Sequence, residues 1–152
     1  VKQKSNLEIA INHALEHDNK VLIEQYINGT EISVGVFAAG KSIEALPITE
    51  IVSENDFFDY EAKYKGKSEE ITPARINAVI TLKIQKNTID IYKKMKLRGI
   101  CRIDYIIMND DPYIIEINTI PGLSEESIIP QQLKSAKLKL GEIFEICLLN
   151  TK

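Results

Sequence analysis

An α+β fold built on a mainly antiparallel sheet, with helices packed on one face, is what this sequence predicts. Three observations carry the expectation. Helix-period stretches open, divide and close the chain. Between them, short β-rich runs are joined by tight-turn residues. Isoleucine alone fills 26 of the 152 positions, enough β-branched side chain for a sizeable core.

The elements follow in the order αβββ-loop-αββ-loop-α. Ser5 and Glu8 have the spacing of a capping box, and Leu7, Ile11, Ala14 and Leu15 form one apolar stripe, predicting a helix to about Asp18. A strand over Val21 to Ile27, the turn pair Asn28-Gly29 and a strand over Glu31 to Phe37 read as a hairpin. A second turn at Ala39-Gly40-Lys41 leads to a third strand, Ser42 to Val52, whose interruption by Pro47 predicts that it ends at an edge. Periodicity then vanishes over Ser53 to Ile71, a densely charged stretch with four aromatics. A structureless segment of that length is usually functional, and the aromatics argue against a merely solvated insertion. Thr72-Pro73 is expected to start the longest helix, with Pro at its first position and Gly99 after its end. Strands over Ile100 to Met108 and Pro112 to Asn118, a Pro-Gly loop from Thr119 to Ser127, and a helical region from Pro130 to Asn150 complete the chain.

Composition narrows the function. A net charge of −3 and an isoelectric point near 5.5 predict no nucleic-acid partner. No run approaches the roughly 18 apolar residues of a membrane span, and no signal peptide is expected from the opening residues. Cys101 and Cys147 lie far apart inside apolar runs, which predicts buried free thiols in a reducing cytoplasm rather than a zinc site or a disulfide. Only Arg75, Arg98 and Arg102 are arginines, against 16 lysines, so a placed Arg is the stronger functional candidate. The chain opens at Val1 directly onto a capped helix, as a piece of a longer protein would.

The second hairpin carries the chemistry. Alternation along Ile100–Met108 puts Arg102, Asp104 and Ile106 on one face, and along Pro112–Asn118 it groups Ile114, Glu116 and Asn118. A three-residue turn at 109–111 then opposes Ile106 to Ile114, Asp104 to Glu116 and Arg102 to Asn118. Directly opposed like charges destabilise a sheet unless something compensates. Two carboxylates and an amide oxygen suit Mg²⁺ or Mn²⁺ shared with a substrate phosphate. The other reading is an ion-paired face in which Arg102 serves both acids. A separate motif, His13-Ala14-Leu15-Glu16-His17, matches the H-x-x-E-H pattern of zinc peptidases, but with no third ligand evident a solvated helical face is expected there.

Four runs, VLIEQYINGTEISVGV, PITEIVSENDFFDYEAKYKGKSEEITPA, GICRIDYII and PYIIEINTIPGLSEESIIP, resemble the C-terminal half of D-alanine–D-alanine ligases of the ATP-grasp superfamily. The resemblance covers nearly the whole chain and implies that 1–152 is the C-terminal part of an ATP-grasp domain, with 53–71 as its lid. It implies Asp104, Glu116 and Asn118 as ligands of Mg²⁺ or Mn²⁺, and Arg102 with the Gly122 backbone N–H as stabilisers of a tetrahedral oxyanion. It implies that Ser127 holds the carboxylate of the second D-alanine and that Ile128 lines that pocket. For ATP it implies Glu24 near the adenine amino group, Gln25, Tyr26 and Ile27 as the adenine hinge, and Glu31 on the ribose. Lys63 and Tyr64 would be lid residues reaching the γ-phosphate and the second amino acid.

The implied activity is ATP-dependent joining of two D-alanines through an acyl phosphate, for peptidoglycan synthesis in the cytoplasm, with a homodimer as the intact enzyme. The family's first domain, two ATP-contacting lysines and the phosphate loop have no counterpart in these residues, so this chain is expected to be inactive alone. Two other readings stand beside it: a D-alanine–D-lactate ligase, against which Tyr64 weighs, and a non-catalytic nucleotide- or metal-binding module.

Overall fold

The computed structural model describes residues 1, 3–53 and 68–149. Among them are helices α1 (Leu7–Leu15), α2 (Ala78–Lys94), α3 (Ile128–Ser135) and α4 (Leu140–Leu149). The strands are β1 (Thr30–Ala39), β2 (Ser42–Ala45), β3 (Thr49–Ser53), β4 (Ser68–Ile71), β5 (Ile100–Met108) and β6 (Asp111–Asn118). All six join one antiparallel sheet in the order β4-β3-β1-β5-β6, with β2 also alongside β1. The expected α+β antiparallel architecture is the observed one.

β1 is the spine, with every residue from Ile32 to Phe37 buried. β5 covers one of its edges along Thr30–Phe37, while β3 and β2 share the other. That occupancy explains why the strand expected over Val21–Ile27 does not form. A hairpin through Asn28-Gly29 needs a free edge of β1, and both are taken. Residues 21–28 instead have no regular structure, with Leu22, Ile23 and Tyr26 exposed. Gly29 serves a different purpose from a hairpin turn: a Cβ there would lie 2.1 Å from the Ile107 carbonyl oxygen, so only glycine permits this crossing of β5.

Pleat alternation assigns the two faces. Ile32, Val34, Val36, Cys101, Ile103 and Tyr105 point to one, where they pack with Ile80, Ile84 and Tyr92 of α2. Thr88 of the same helix stripe meets the Tyr105 hydroxyl at 2.8 Å. Phe37 and Ile100 belong to the opposite face and pack with Leu46, Ile129 and Leu133 of α3, and Ile143 of α4. The helices are therefore divided between two faces rather than gathered on one, because Gly35 leaves room for α3 on the second. A Cβ on Gly35 would come within 2.7 Å of Gln132, Ile129 and Leu46 atoms.

Several boundaries differ from the sequence reading for local reasons. Asn6, not Ser5, precedes α1, and it makes no side-chain cap bond, so the capping box is not formed. The run 42–52 splits at Leu46-Pro47-Ile48 into β2 and β3, and β3 lies inside the sheet rather than at an edge, since β4 pairs with it. The end of the 53–71 stretch is that strand, β4. Thr72-Pro73 is a cis peptide in an irregular link, and α2 starts later, where the Asn77 side chain accepts from the Ile80 N–H at 2.9 Å. Lys96, at φ +54°, takes the left-handed position behind α2 that was expected of Gly99, and the Leu97 N–H closes back on the Tyr92 carbonyl. The C-terminal helix is two helices, broken at Lys137 with φ +60°. Cys101 is buried and Cys147 half-buried, both free; burial pushes the Cys101 thiol up to about 11.

Arg75, in the link before α2, donates to both Glu50 oxygens at 2.9 and 2.8 Å. These hydrogen bonds hold the Glu50 carboxyl below its ordinary 4.5 against the opposing effect of burial. A carboxyl with a lowered folded-state pKa stabilises fully above its unfolded pKa and loses that contribution as pH falls through the folded value. An Arg75→Met chain should melt below the parent at neutral pH, and the gap should close as the pH drops below 4.5. Melting curves across that range check it; a gap that ignores pH would mean that the ion pair is not its source.

Candidate active site

The β5–β6 hairpin turns on two residues, Asn109 and Asp110, both left-handed with φ +53° and +64°. Met108 therefore faces Asp111, one residue earlier than a three-residue turn would give. Tyr105 faces Ile114 and Ile106 faces Tyr113, so the expected Ile106–Ile114 pair is not made. A bulge between Asp104 and Tyr105 then takes up Ile115 as the extra residue. Beyond it, Asp104 faces Glu116 and Arg102 faces Asn118, the pairing predicted from the sequence. The bulge cancels the offset of the shorter turn and returns the polar residues to one face.

On that face the side chains form one network. Arg102 Nε donates to Asp104 Oδ1 at 3.0 Å and Arg102 Nη2 to Asp104 Oδ2 at 2.8 Å. Arg102 Nη2 also lies 3.7 Å from Glu116 Oε1. The Asn118 amide donates to Asp104 Oδ2 at 3.1 Å and to Glu116 Oε1 at 3.0 Å, bridging the two acids. Arg102 thus pairs with both carboxylates, as the ion-pair reading requires, and the ligand atoms are grouped, as the cation reading requires. Rotating the Asn118 amide by half a turn would put its oxygen where its nitrogen now bridges, giving three hard oxygen donors. Glu116 is half-exposed while Asp104 is buried, so the cluster opens to solvent on the Glu116 side.

Ser33 was not singled out in the sequence, yet its buried hydroxyl donates to Asp104 Oδ1 at 2.6 Å. The signal was available: Ser33 is the polar residue in the otherwise apolar run from Ile32 to Ala39, a position where a hydroxyl must find a partner. Gln132 and Glu70 were missed too. Gln132 Oε1 accepts from the Gly35 N–H at 2.9 Å, and its Nε2 donates to the Ser33 carbonyl at 2.9 Å and Thr49 Oγ1 at 3.0 Å. Glu70, on β4, accepts from Gln131 of α3. Burial raises the pKa of Glu70, and the Gln131 bond and the nearby Arg102 charge oppose that rise.

Ser127 stands at the N-terminus of α3. Its hydroxyl meets Ser124 Oγ at 2.8 Å and its N–H donates to the Ser124 carbonyl at 2.8 Å. Gly122 passes so close that a Cβ there would lie 2.7 Å from Ser127 Oγ, and Ile128 behind is buried. Glu31 shares the face of Ser33 and Asp104, one pleat repeat along β1. Glu24, Gln25 and Tyr26 are exposed and Ile27 half-buried in the irregular stretch before β1, in no strand of the sheet. Lys63 and Tyr64 lie outside the described residues. On α1, ligand atoms of His13, Glu16 and His17 come within 4.8 Å of one another, but all three residues are exposed, in keeping with the expected solvated face.

The two acids should respond differently to mutation. Asp104 is the buried partner of Arg102, so Asp104→Ala should cost about 3–5 kcal/mol in urea unfolding by leaving that guanidinium without its nearest counter-charge. Glu116 opposes a like charge, so Glu116→Gln should leave stability unchanged or raise it by up to about 1 kcal/mol. Equal losses in the two variants would contradict this division.

No helix among the described residues is long and apolar enough to cross a membrane. Comparison with known proteins places the chain. The family described as D-ala D-ala ligase C-terminus matches residues 1–148. The D-alanine–D-alanine ligase of Flavobacterium johnsoniae is 51% identical over 144 residues, 95% of this chain and 45% of that protein. The crystal structure of the D-alanine–D-alanine ligase of Bacillus anthracis complexed with ATP superposes with a TM-score of 0.79 at 29% identity, over 97% of this chain and 47% of that one. The D-alanyl-alanine synthetase A of Vibrio cholerae gives 0.82 at 26% identity, over 99% of this chain and 47% of that one. The chain thus spans a little under half the length of these relatives, and with a family match over residues 1–148 it belongs to the D-alanine–D-alanine ligase C-terminal family.

Proposed function

We propose that this chain is the ATP-grasp part of a ligase that joins two D-alanines to D-alanyl-D-alanine at the expense of ATP, serving peptidoglycan synthesis. The observation that carries the reading is the cluster of Arg102, Asp104, Glu116 and Asn118 on one sheet face. A group of that composition is costly for a fold to keep and well suited to phosphoryl chemistry.

In this reading Asp104, Glu116 and the Asn118 amide oxygen hold Mg²⁺ or Mn²⁺. Bound there, the cation would neutralise charge on the transferring phosphoryl group. Glu24, the Gln25–Ile27 backbone and Glu31 take the adenosine, and Lys63 reaches the γ-phosphate. Phosphorylation of the first D-alanine's carboxylate gives an acyl phosphate, and the amine of the second D-alanine attacks its carbonyl. Arg102 and the Gly122 N–H face the oxyanion formed there. Ser127 holds the second carboxylate beside Ile128, and Tyr64 closes over it to exclude water, which would otherwise hydrolyse the acyl phosphate. The intact enzyme is expected to be a cytoplasmic homodimer.

Fusing this chain to the N-terminal part of the Flavobacterium johnsoniae relative tests the reading. The fusion should release phosphate only when D-alanine is present and should form dipeptide. Arg102→Met should lower kcat by about 10²–10³. Glu116→Gln should lower turnover and raise the Mg²⁺ requirement together; unchanged turnover at limiting Mg²⁺ would remove the metal assignment. A well-folded fusion that binds ATP without phosphate release would favour the non-catalytic module.

The 152 residues by themselves should form no dipeptide above background with ATP, Mg²⁺ and D-alanine, because they span under half of their relatives' length and in this reading the remainder of the enzyme supplies the opposite wall of the nucleotide site. Phosphate release followed together with dipeptide formation checks this. Turnover at the level of an ordinary ligase would show that one wall suffices.

A further inference from the structure

The carboxylate of Asp104 has its two oxygens differently employed. Oδ2 faces Asn118 and Glu116, taking the Asn118 amide at 3.1 Å and Arg102 Nη2 at 2.8 Å. Oδ1 faces back into the sheet, taking Arg102 Nε at 3.0 Å and the Ser33 hydroxyl at 2.6 Å. Arg102 grips both oxygens, so it does not by itself decide how far the carboxylate plane swings toward Glu116. Ser33 grips only one, from the neighbouring strand, and its position is over-determined. It pairs with Asp104 in the β1–β5 ladder and with Thr49 in the β1–β3 ladder, and its carbonyl takes the Gln132 amide at 2.9 Å. Ser33 is completely buried, so no bulk water can substitute for its hydroxyl.

We infer that Ser33 is a positioning residue that locks the Asp104 side chain so that Oδ2 is presented to the cation position beside Glu116 and Asn118. The consequence for metal affinity rests on the metal-binding part of the proposed function; the locking of Asp104 does not. Partners that orient ligating groups from behind commonly set metal affinity by about 10–100-fold. Without the Ser33 hydroxyl, Asp104 Oδ1 keeps only Arg102. Once the Asn118 amide turns its oxygen to the cation and no longer donates to Oδ2, a carboxylate held by the guanidinium alone can rotate with it, trading Oδ2 geometry for freedom.

The test uses this chain, with Mn²⁺ as the probe. Side-chain couplings of Asp104 measured by NMR report whether it keeps one rotamer, and Mn²⁺-induced broadening of the Glu116 and Asn118 amides gives a dissociation constant. In Ser33→Ala the Asp104 couplings should average and the Mn²⁺ dissociation constant should rise by about 10-fold or more, while Ser33→Thr, which keeps the hydroxyl, should retain the parent values for both. If Ser33→Ala is too unstable to measure, Ser33→Cys keeps the volume while weakening the hydrogen bond, and the same outcomes apply. Ser33→Ala that melts lower but keeps a single Asp104 rotamer and the parent Mn²⁺ affinity would show a merely structural serine and overturn the inference. Absence of Mn²⁺ broadening in the parent chain would sink the metal reading instead, and the Asp104 couplings would still decide the role of Ser33.

Discussion

The side-chain amide of Gln132 occupies a gap in the sheet that would otherwise leave backbone groups of the central strand unpaired. Pro47 interrupts the strand beside β1, so between β2 and β3 there is no neighbour for the Gly35 N–H and the Ser33 carbonyl. Gln132 meets both, and Thr49 Oγ1 as well, with an amide whose donor and acceptor spacing imitates a peptide. A buried, unpaired backbone group costs about 1–3 kcal/mol, so this one residue both closes the sheet and decides where α3 docks. With α3 come Ser127 at its N-terminus and Gln131, which reaches Glu70 on β4. The same seam fixes Ser33, and through its hydroxyl Asp104.

The charges on this face show what the fold tolerates and what it uses. Among the described residues, one arginine stands with Asp104, Glu116 and, further off, Glu70, so these four side chains carry more negative than positive charge. Arg102 satisfies Asp104 closely and Glu116 only at 3.7 Å. Hydrophobic residues would pack such a position at lower cost, since buried ion pairs contribute little net stability. In the proposed function that excess of carboxylate receives the cation. By contrast, Glu50 and Arg75, on the opposite face, are a simple one-to-one pair that pins the link before α2.

Glycine supplies the close approaches that bring these parts together. Gly35 admits α3 against β1, Gly29 lets the chain cross the Ile107 carbonyl, and Gly122 leaves the Ser127 hydroxyl its place. None of the three has a left-handed backbone; each is needed because a neighbouring atom occupies the space of a Cβ. Such demands come from elements distant in sequence, which is why a turn-based reading gave Gly29 the wrong purpose.

Local pattern was enough to identify the hairpin of Arg102, Asp104, Glu116 and Asn118, the helix around Ile80, Ile84 and Tyr92, and the antiparallel character of the sheet. Period-two alternation and the 3.6-residue stripe are consequences of backbone geometry that a short stretch carries by itself. The motif runs carried the family likeness in the same way. The tertiary structure alone decided whether a strand had an edge to join: residues 21–27 had the composition and the turn, but β5, β3 and β2 had taken both sides of β1. It also decided the bulge at Ile115, which corrected a turn one residue shorter than expected, and the partners of Ser33, Gln132 and Glu70. A buried polar side chain takes its role from whichever unpaired group the packing brings opposite it, and that group belongs to a segment some 60 to 100 residues away.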